Sequence, residues 1–299
     1  MTASIDNELR IAVTGAGGYF GRNLCRYFRE RGATVFPLTS NPARTESIAS
    51  TQFTLRDGVV KNFFADNRIN SLIHPAYDFA PRARAAIWDC NVQGSIDLMT
   101  QARAEGVEQI IFISSMSAYH GCRSLYGSAK LEIENALHEM PGVWAIRPGL
   151  IYSTPIAQSG GMVGSILQSL QGGIIPLIGR GEQKLYLSHV DDLARLTEWL
   201  LQNSRAPEHA LITAANPRPY TLREIIELLA QHKDAGNPRL LPVPWRLAWA
   251  GVRSLEAAGV KTKFRSDSIL SLVHQNPNPD FTAIPDEIVF RDFTAAIDE

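Results

Sequence analysis

Short runs rich in apolar residues alternate along this chain with longer segments whose apolar residues recur at helical spacing. The run 110–113 is apolar throughout, which is typical of a strand that is buried on both faces of a parallel sheet. The apolar-rich runs predict strands at residues 9–13, 34–38, 51–55, 71–74, 109–113, 143–146 and 210–213. The segments between them predict helices, among them 23–31, 83–105, 160–173 and 192–201. This alternation predicts an α/β fold built on a doubly wound, seven-stranded parallel sheet.

The last third of the chain has a different pattern. Thr221, with Glu224 three residues later, forms a capping-box sequence that predicts a helix ending near residue 231. Residues 240–244 are predicted to be extended, and apolar side chains then recur at helical spacing from Trp245 to Leu255. We expect this apolar stripe to be buried in a small C-terminal lobe. Contact with a membrane or a partner protein is the alternative.

A glycine-rich turn follows the first predicted strand. Gly15, Gly18 and Gly21 are spaced three residues apart, whereas the usual dinucleotide spacing would require a third glycine where Phe20 stands. Gly15 can make the turn, Gly18 can admit phosphates, and Gly21 can let the following helix close on the sheet. With Tyr19 and Phe20 between its second and third glycines, the turn predicts a dinucleotide site. A plain strand-to-helix turn is the alternative.

Four residues further along are candidates for the adenosine end of such a dinucleotide. The segment 39–44 lacks the carboxylate that holds ribose hydroxyls in NAD sites, while Ser40 and Arg44 could hold a 2′-phosphate. We therefore prefer NADP to NAD as the cofactor. Asp57 could meet the adenine edge, and His74 stands where the chain leaves the sheet beside the cofactor. Asp57 and His74 could instead serve only as loop or capping groups, and Arg44 could be only a solvated loop charge.

A candidate catalytic set follows the fifth predicted strand. Tyr126 and Lys130 are four residues apart in a predicted helix, so they share a face. A nearby ammonium and a nicotinamide cation both favour the phenolate form, so we expect Lys130 and the cofactor together to lower a phenol pKa that is ordinarily ~10. Tyr126 could then exchange a proton with a substrate hydroxyl or carbonyl. Ser115, with Ser117 as the reserve, could bind that same substrate oxygen.

Taken in chain order, these motifs resemble the extended short-chain dehydrogenase/reductase superfamily, in its epimerase/dehydratase branch. The matching segments are 14–21, 74–76, 91–94, 112–115, 126–130, 147–149 and 189–194. The resemblance implies that Tyr126 is the acid/base, that Lys130 holds the nicotinamide ribose and tunes the tyrosine, and that Ser115 orients the substrate. It also implies that Asn91 supports the sheet and the active-site helix, and that the protein forms a homodimer.

The resemblance further implies an NAD(P)-binding Rossmann domain at 1–152, with elements returning at about 186–215, and a mainly substrate-binding lobe at 153–299. Many nucleotide-sugar members carry an asparagine and a glycine where this chain has Leu150 and Ser153. This departure weakens a nucleotide-sugar assignment. Arg180, in a turn with two cations, is a candidate for binding a substrate phosphate; a solvated turn is the alternative.

These residues predict an NAD(P)-dependent oxidoreductase or epimerase that acts on a carbinol or carbonyl of a small molecule, possibly a nucleotide sugar. The same catalytic residues serve an epimerase and a reductase, so the sequence does not separate them. A different class remains open, in which a non-catalytic NADP-binding protein of this fold has a regulatory or assembly role.

Composition narrows the partners and the setting. Lysine plus arginine number 29 against 30 acidic residues, so no global charge favours nucleic acid or an anionic membrane. Cys25, Cys90 and Cys122 are widely spaced and form no paired-thiol or metal-ligand pattern. The N-terminus lacks the features of a signal peptide, and no apolar segment approaches the ~20 residues of a membrane span. These features predict a cytoplasmic protein without a metal.

Overall fold

The computed structural model describes residues 9–44, 49–140, 142–172, 174–203, 210–233, 238–260, 262 and 264–297. Its strands are β1 (Arg10–Thr14), β2 (Thr34–Thr39), β3 (Thr51–Gln52), β4 (Ser71–His74), β5 (Gln109–Ile113), β6 (Val143–Pro148), β7 (Leu150–Tyr152), β8 (Ile174–Ile178), β9 (Lys184–Leu185), β10 (Leu187–His189), β11 (Leu211–Ala214), β12 (Tyr220–Thr221) and β13 (Arg239–Val243). Its α-helices are α1 (Tyr19–Glu30), α2 (Phe63–Asp66), α3 (Arg84–Ile87), α4 (Gly94–Ala104), α5 (Leu125–Leu137), α6 (Gly161–Ser169), α7 (Val190–Asn203), α8 (Leu222–His232), α9 (Trp245–Ala257), α10 (Ser266–Val273) and α11 (Phe293–Ile297).

The main sheet has seven strands in the order β11-β6-β5-β4-β1-β2-β3. Strand β1 pairs in parallel with both β2 and β4, so the direction of winding reverses between them. The pairs β4/β5 and β5/β6 are also parallel. Nearly every residue of β1, β4 and β5 is buried, because helices cover both faces of such a sheet. The predicted α/β fold with a doubly wound parallel sheet is therefore confirmed.

Contacts divide the chain into two compact units. The first comprises Met1–Ser114, Glu132–Arg147 and Leu193–Ile212, and the second comprises Ser115–Leu131, Pro148–Asp192 and Thr213–Glu299. The division differs from the predicted boundary at residue 152, because it groups the segment that carries Ser115, Tyr126 and Lys130 with the C-terminal half. The second unit is comparable in length to the first. The functional division into a Rossmann domain and a substrate-binding lobe stays a prediction.

The long helix predicted at 83–105 is interrupted in its middle. A single π-helical turn, Trp88–Gln93, separates α3 from α4. Asn91 lies fully buried in this turn. Its Oδ1 accepts a hydrogen bond from the backbone N–H of Asp78 at 2.7 Å, and its Nδ2 donates to the Asp78 carbonyl at 3.0 Å. Asn91 therefore fixes the loop that follows β4, a contact that apolar periodicity alone does not predict.

The core of the second unit is built from β7, α6, β8 and α8, with α11 packed against them. The strand pairs β7/β10 and β8/β13 are parallel, and β9/β12 is antiparallel. The predicted capping box is confirmed: Thr221 Oγ1 accepts from the Glu224 N–H at 3.1 Å, and the Glu224 carboxylate accepts from the Thr221 N–H at 2.6 Å. Helix α8 therefore begins at Leu222, as the sequence predicts.

The prediction that the apolar stripe of α9 is buried was wrong, since none of the residues of this helix is buried. Trp245 and Val252 are half-buried on one side of the helix. Leu247 and Leu255 remain 68% and 48% exposed. Helix α10 packs against α9 and leaves these two side chains uncovered among the described residues. As for crossing a bilayer, none of the helices in the described ranges has the necessary length and apolar character.

A buried ion pair joins the C-terminal segment to the start of α7. The Asp192 side chain has no exposed surface, and it accepts hydrogen bonds from the Arg291 backbone N–H at 2.8 Å and from Arg291 Nη2 at 2.8 Å. A nearby ion pair, between Arg218 and Asp292 at 3.2 Å, is much more exposed, with Arg218 63% accessible. The two pairs therefore allow a matched comparison.

Replacing Arg291 with alanine leaves the buried Asp192 carboxylate without its cation, and we expect a loss of about 3 kcal/mol in the free energy of unfolding. Arg218→Ala is the control, with an expected loss of at most about 1 kcal/mol because water screens an exposed pair. Urea unfolding of both variants measures the difference. Equal losses would contradict the structural role assigned to Asp192.

Candidate active site

The glycine turn lies between β1 and α1, in the first unit. Gly15 has a φ of +60°, which favours glycine, and its carbonyl accepts a hydrogen bond from the Gly18 N–H at 2.8 Å. A Cβ on Gly21 would stand 2.2 Å from the Gly15 oxygen, and one on Gly18 would stand 3.1 Å from it. The helix can therefore meet the turn this closely only because side chains are absent.

Helix α1 begins immediately after this turn. Gly18 is its N-cap residue and is extended, and among the described residues no side chain caps the helix start. Such an end leaves backbone N–H groups and a partial positive charge directed at an approaching anion. Tyr19 is half-buried and Phe20 is buried at this end. The turn fits the pyrophosphate of a dinucleotide, because it is a cradle that a Cβ would fill.

His74 lies behind the turn, and its ring has no exposed surface. Its Nδ1 shares a hydrogen bond with Thr14 Oγ1 at 2.7 Å, and its Nε2 shares one with Ser95 Oγ at 3.0 Å. Thr14 Oγ1 also accepts from the N–H of Ala76 at 3.2 Å. Ala76 is the residue against which Gly15 packs. The His74 ring thus fixes the strand end and the loop on which the glycine turn packs. Direct contact of His74 with a cofactor stays a prediction.

The residues predicted for the adenosine end lie beyond β2 and β3. Ser40 is exposed where β2 ends, and its carbonyl accepts from Gln52 Nε2 at 3.2 Å. The side chain of Arg44 lies outside the described residues. Asp57 is exposed and accepts from Thr54 Oγ1 at 2.6 Å, which closes a local turn. Their predicted contacts with a cofactor stay predictions.

The second unit brings the three predicted catalytic residues together. Ser115 follows β5, and its side chain is hydrogen-bonded to that of Tyr126, the second residue of α5. Lys130 is one helical turn further along α5 and is only 2% exposed. Ser115 Oγ also accepts from the Ser117 N–H at 3.2 Å, which fixes the hydroxyl at this position. The arrangement provides a serine and a phenol at one point, with a buried amine on the next turn.

Gly127 permits this arrangement. A Cβ on this residue would stand 2.2 Å from the Ser117 carbonyl oxygen. The first turn of α5 can therefore lie directly against the segment 115–117. Ser117 itself is half-buried and contributes its carbonyl to this contact. Its predicted role as the reserve substrate-binding residue stays a prediction.

The pKa of Tyr126 in the protein alone depends chiefly on burial. Burial raises the pKa of Tyr126 above its ordinary value, and the hydrogen bond from Ser115 lowers it only in part. In the protein alone, removing the phenolate from water outweighs the Ser115 hydrogen bond. A lowered pKa with the nicotinamide cation in place stays a prediction. At neutral pH the phenol is protonated and can donate a proton.

Arg180 is exposed in the turn after β8 and lies at the edge of a groove of about 540 Å³. A second cation, Arg223, lines the same groove, and its Nε donates to the Arg180 carbonyl at 3.3 Å. Glu182 and Glu224 also line it, so the groove carries both charge signs. Arg223 was not among the predicted site residues; its position just after the helix cap Thr221 was the available signal.

In the described ranges, no cluster of three or more His, Cys, Asp or Glu side chains could hold a metal.

The parallel sheet, the glycine turn and the serine, tyrosine and lysine set define a dinucleotide-binding α/β protein of the extended short-chain dehydrogenase/reductase type. The chain belongs to the NAD dependent epimerase/dehydratase family, whose model matches residues 11–213. The resemblance inferred from the sequence motifs is thus confirmed, and membership of this family indicates a nicotinamide cofactor.

Two curated relatives carry different names. A UDP-glucose 4-epimerase of Erwinia amylovora is 26% identical over 208 residues, which are 58% of this chain and 61% of the relative. A 2-alkyl-3-oxoalkanoate reductase of Stenotrophomonas maltophilia is 25% identical over 270 residues, which are 78% of this chain and 77% of the relative. The match to the epimerase therefore spans less than two thirds of that protein.

Solved structures share the fold. The UDP-glucose 4-epimerase of Thermotoga maritima with UDP-glucose has a TM-score of 0.68 at 20% identity, covering 88% of this chain and 97% of that one. The enzyme of Stenotrophomonas maltophila with bound NAD and formylated UDP-arabinopyranose has a TM-score of 0.69 at 17% identity, covering 89% and 96%. At these identities the likeness establishes the fold alone.

Ser115→Ala removes the hydrogen bond that favours the phenolate, so we expect Tyr126 to titrate at higher pH than in the wild type. Phenolate absorbance measured against pH, with the curve of the matching Tyr126→Phe protein subtracted, isolates this one tyrosine. Ser169→Ala, whose hydroxyl bonds within its own helix, is the control. A titration that moves to lower pH would contradict the assigned bond.

Proposed function

We propose that the protein is an NAD(P)-dependent epimerase or oxidoreductase that acts on a carbinol or carbonyl group of a nucleotide sugar. One observation carries the proposal: the Ser115 hydroxyl is hydrogen-bonded to the Tyr126 phenol, and Lys130 lies buried one turn further along α5, the helix that carries Tyr126. In a chain of this family, that set is what proton exchange at a substrate oxygen requires.

Each residue has a defined task in this proposal. The nicotinamide cofactor, when bound, supplies the hydride chemistry. During reduction, Tyr126 Oη donates its proton to the substrate carbonyl oxygen; during oxidation, the phenolate takes the proton of the substrate hydroxyl. Ser115 holds the same substrate oxygen through a hydrogen bond. Lys130 would hold the nicotinamide ribose, and its ammonium together with the nicotinamide cation would favour the phenolate against the effect of burial.

We further propose that the glycine turn holds the cofactor pyrophosphate and that the cofactor is NADP. The support comes from the fit of the Gly15–Gly21 turn to phosphate and from the lack of a carboxylate at 39–44. Ser40 and Arg44 would bind the 2′-phosphate, and Asp57 and His74 would act at the adenosine end and beside the sheet. Tyr19 and Phe20 would contribute the first backbone groups of α1.

The substrate class has support from the relatives and from the chain. The UDP-glucose epimerases among the relatives favour a nucleotide sugar, and Arg180 with Arg223 would bind its phosphates. Leu150 opposes this assignment, because it packs on the apolar core where many nucleotide-sugar relatives have asparagine. A second candidate is therefore the reduction of an apolar oxo acid, which the alkyl-oxoalkanoate reductase relative also favours.

We also propose that the enzyme is a homodimer and that it lies in the cytoplasm. Its proposed partner is a small-molecule substrate rather than a nucleic acid or a membrane. Sedimentation of the purified chain measures the oligomeric state. The alternative of a non-catalytic NADP-binding protein predicts tight cofactor binding without turnover of any substrate offered.

Replacing Tyr126 with phenylalanine removes the exchangeable proton and leaves the ring, so we expect turnover to fall by roughly 10²-fold or more while cofactor affinity is retained. The assay offers UDP-glucose and UDP-galactose for epimerisation, and a 2-alkyl-3-oxoalkanoate for reduction with NADPH. The control is Tyr119→Phe, which removes a hydroxyl that donates to the His274 carbonyl. Undiminished turnover in Tyr126→Phe would refute the proposed mechanism.

For the cofactor, we expect the dissociation constant of NADP to be smaller than that of NAD, because a cation at the 2′-phosphate has no counterpart in NAD. Calorimetric titration with both cofactors measures the ratio, and mass spectrometry of small molecules released on denaturation shows which one copurifies. Arg44→Ala should raise the constant for NADP alone. Tighter binding of NAD by the wild type would reverse the assignment.

A further inference from the structure

The first turn of helix α5 needs hydrogen-bond acceptors from outside the helix. The first N–H groups of any helix have no partner within the helix, and the first turn frays most readily. Here that turn contains Tyr126. The local sequence supplies one cap, since Ser124 Oγ accepts from the Gly127 N–H at 3.1 Å. This bond leaves the N–H groups of Leu125 and Tyr126 to be satisfied from elsewhere.

Asp267 satisfies both of them from the helix α10. Its Oδ1 accepts from the Leu125 N–H at 2.6 Å, and its Oδ2 accepts from the Tyr126 N–H at 3.0 Å. Asp267 is 142 residues distant from Leu125 in the chain. A carboxylate at a helix N-terminus makes charge-assisted hydrogen bonds and opposes the partial positive charge of that end. One side chain therefore holds the backbone of the residue that carries the phenol.

Helix α10 is itself fixed in two ways. Glu256 of α9 accepts from the Ser266 N–H at 3.0 Å and from the Ser266 hydroxyl at 2.6 Å, with only 6% of the Glu256 side chain exposed. Further along α10, the Ser271 hydroxyl donates to Ser124 Oγ at 2.8 Å. The local cap and the distant carboxylate are thus both attached to one helix. The position of Asp267 is set before it meets α5.

We propose that Asp267 is a positioning residue for Tyr126. It rests on the proposed function, in which Tyr126 exchanges the substrate proton. The phenol can meet Ser115 and a substrate oxygen together only while the first turn of α5 keeps its place, and small displacements of a reacting group slow a reaction strongly. Without Asp267, two N–H groups beside Tyr126 lose their acceptor, and the turn opens.

The experiment compares full-length Asp267→Ala and Asp267→Asn with the wild type in two measurements. The first is hydrogen exchange of the amides at 125–127. The second is kcat and KM for UDP-galactose epimerisation, or for the oxoalkanoate if only that substrate is turned over. Asp280→Asn is the matched control, because Asp280 caps only its own exposed turn at Thr282. Ser271→Ala is a milder variant for the case that Asp267→Ala does not fold.

In Asp267→Ala, we expect exchange of these amides to quicken by about tenfold or more, because both acceptors are lost. We expect kcat to fall by about tenfold with KM changed by less than about twofold, because the turn positions the group that transfers the proton and the proposed phosphate-binding residues Arg180 and Arg223 lie elsewhere. Asp267→Asn should recover part of kcat, because its amide oxygen can still accept one N–H. Ser271→Ala should shift both measurements in the same direction but less, and Asp280→Asn should match the wild type.

A lower melting temperature with unchanged exchange and unchanged kcat in Asp267→Ala would overturn the proposal, since it would describe a merely structural carboxylate. Equal loss of kcat in Asp267→Asn and Asp267→Ala would also overturn it. Neither result touches the proposed function, provided that the wild type turns over and Tyr126→Phe does not. A wild type without turnover contradicts the proposed function and removes the positioning role with it.

Discussion

The start of helix α5 is the constraint on which the candidate catalytic set depends. Tyr126 is the second residue of that helix, so its phenol is carried by the part of a helix that ordinarily frays. Three contacts oppose fraying here: the Asp267 carboxylate, the Ser124 hydroxyl, and the close approach of Gly127 to the Ser117 carbonyl. Together they fix the backbone from two sides, which leaves the Tyr126 side chain to meet Ser115.

The glycine turn of the first unit is held by the same kind of device. The turn follows a strand end, and a buried ring from a distant strand, His74, bonds to Thr14 just before it. Ser95 of α4 bonds the other ring nitrogen. Both ring nitrogens of His74 are therefore hydrogen-bonded to hydroxyl groups, which hold the ring in place. In both units, a segment that carries candidate site residues is therefore held by a residue far away in sequence.

Local pattern predicted much of this protein, and the reasons are physical. Buried strands read as apolar runs, a capping box satisfies its own helix start, and a four-residue spacing places Tyr126 and Lys130 on one face without reference to the rest of the fold. The π-helical turn around Asn91 and the contact of Asp267 with α5 depend on pairings between distant segments. The exposure of α9 likewise depends on how much of its surface α10 covers. The spacing of apolar residues along the chain holds no information about that packing.

The chemistry of Tyr126 depends on a balance that sequence reasoning described only in part. Positive charge from Lys130 and a nicotinamide cation is predicted to favour the phenolate, whereas in the protein alone the loss of water raises the pKa of Tyr126 more than the Ser115 hydrogen bond lowers it. The buried phenol therefore favours the protonated state, which suits donation to a carbonyl oxygen. Removing a proton from a hydroxyl needs the opposite state, and positive charge near the ring is what favours it. A phenol that is protonated in the protein alone can act in both reduction and oxidation, because each positive charge added near the ring lowers its pKa and favours the phenolate.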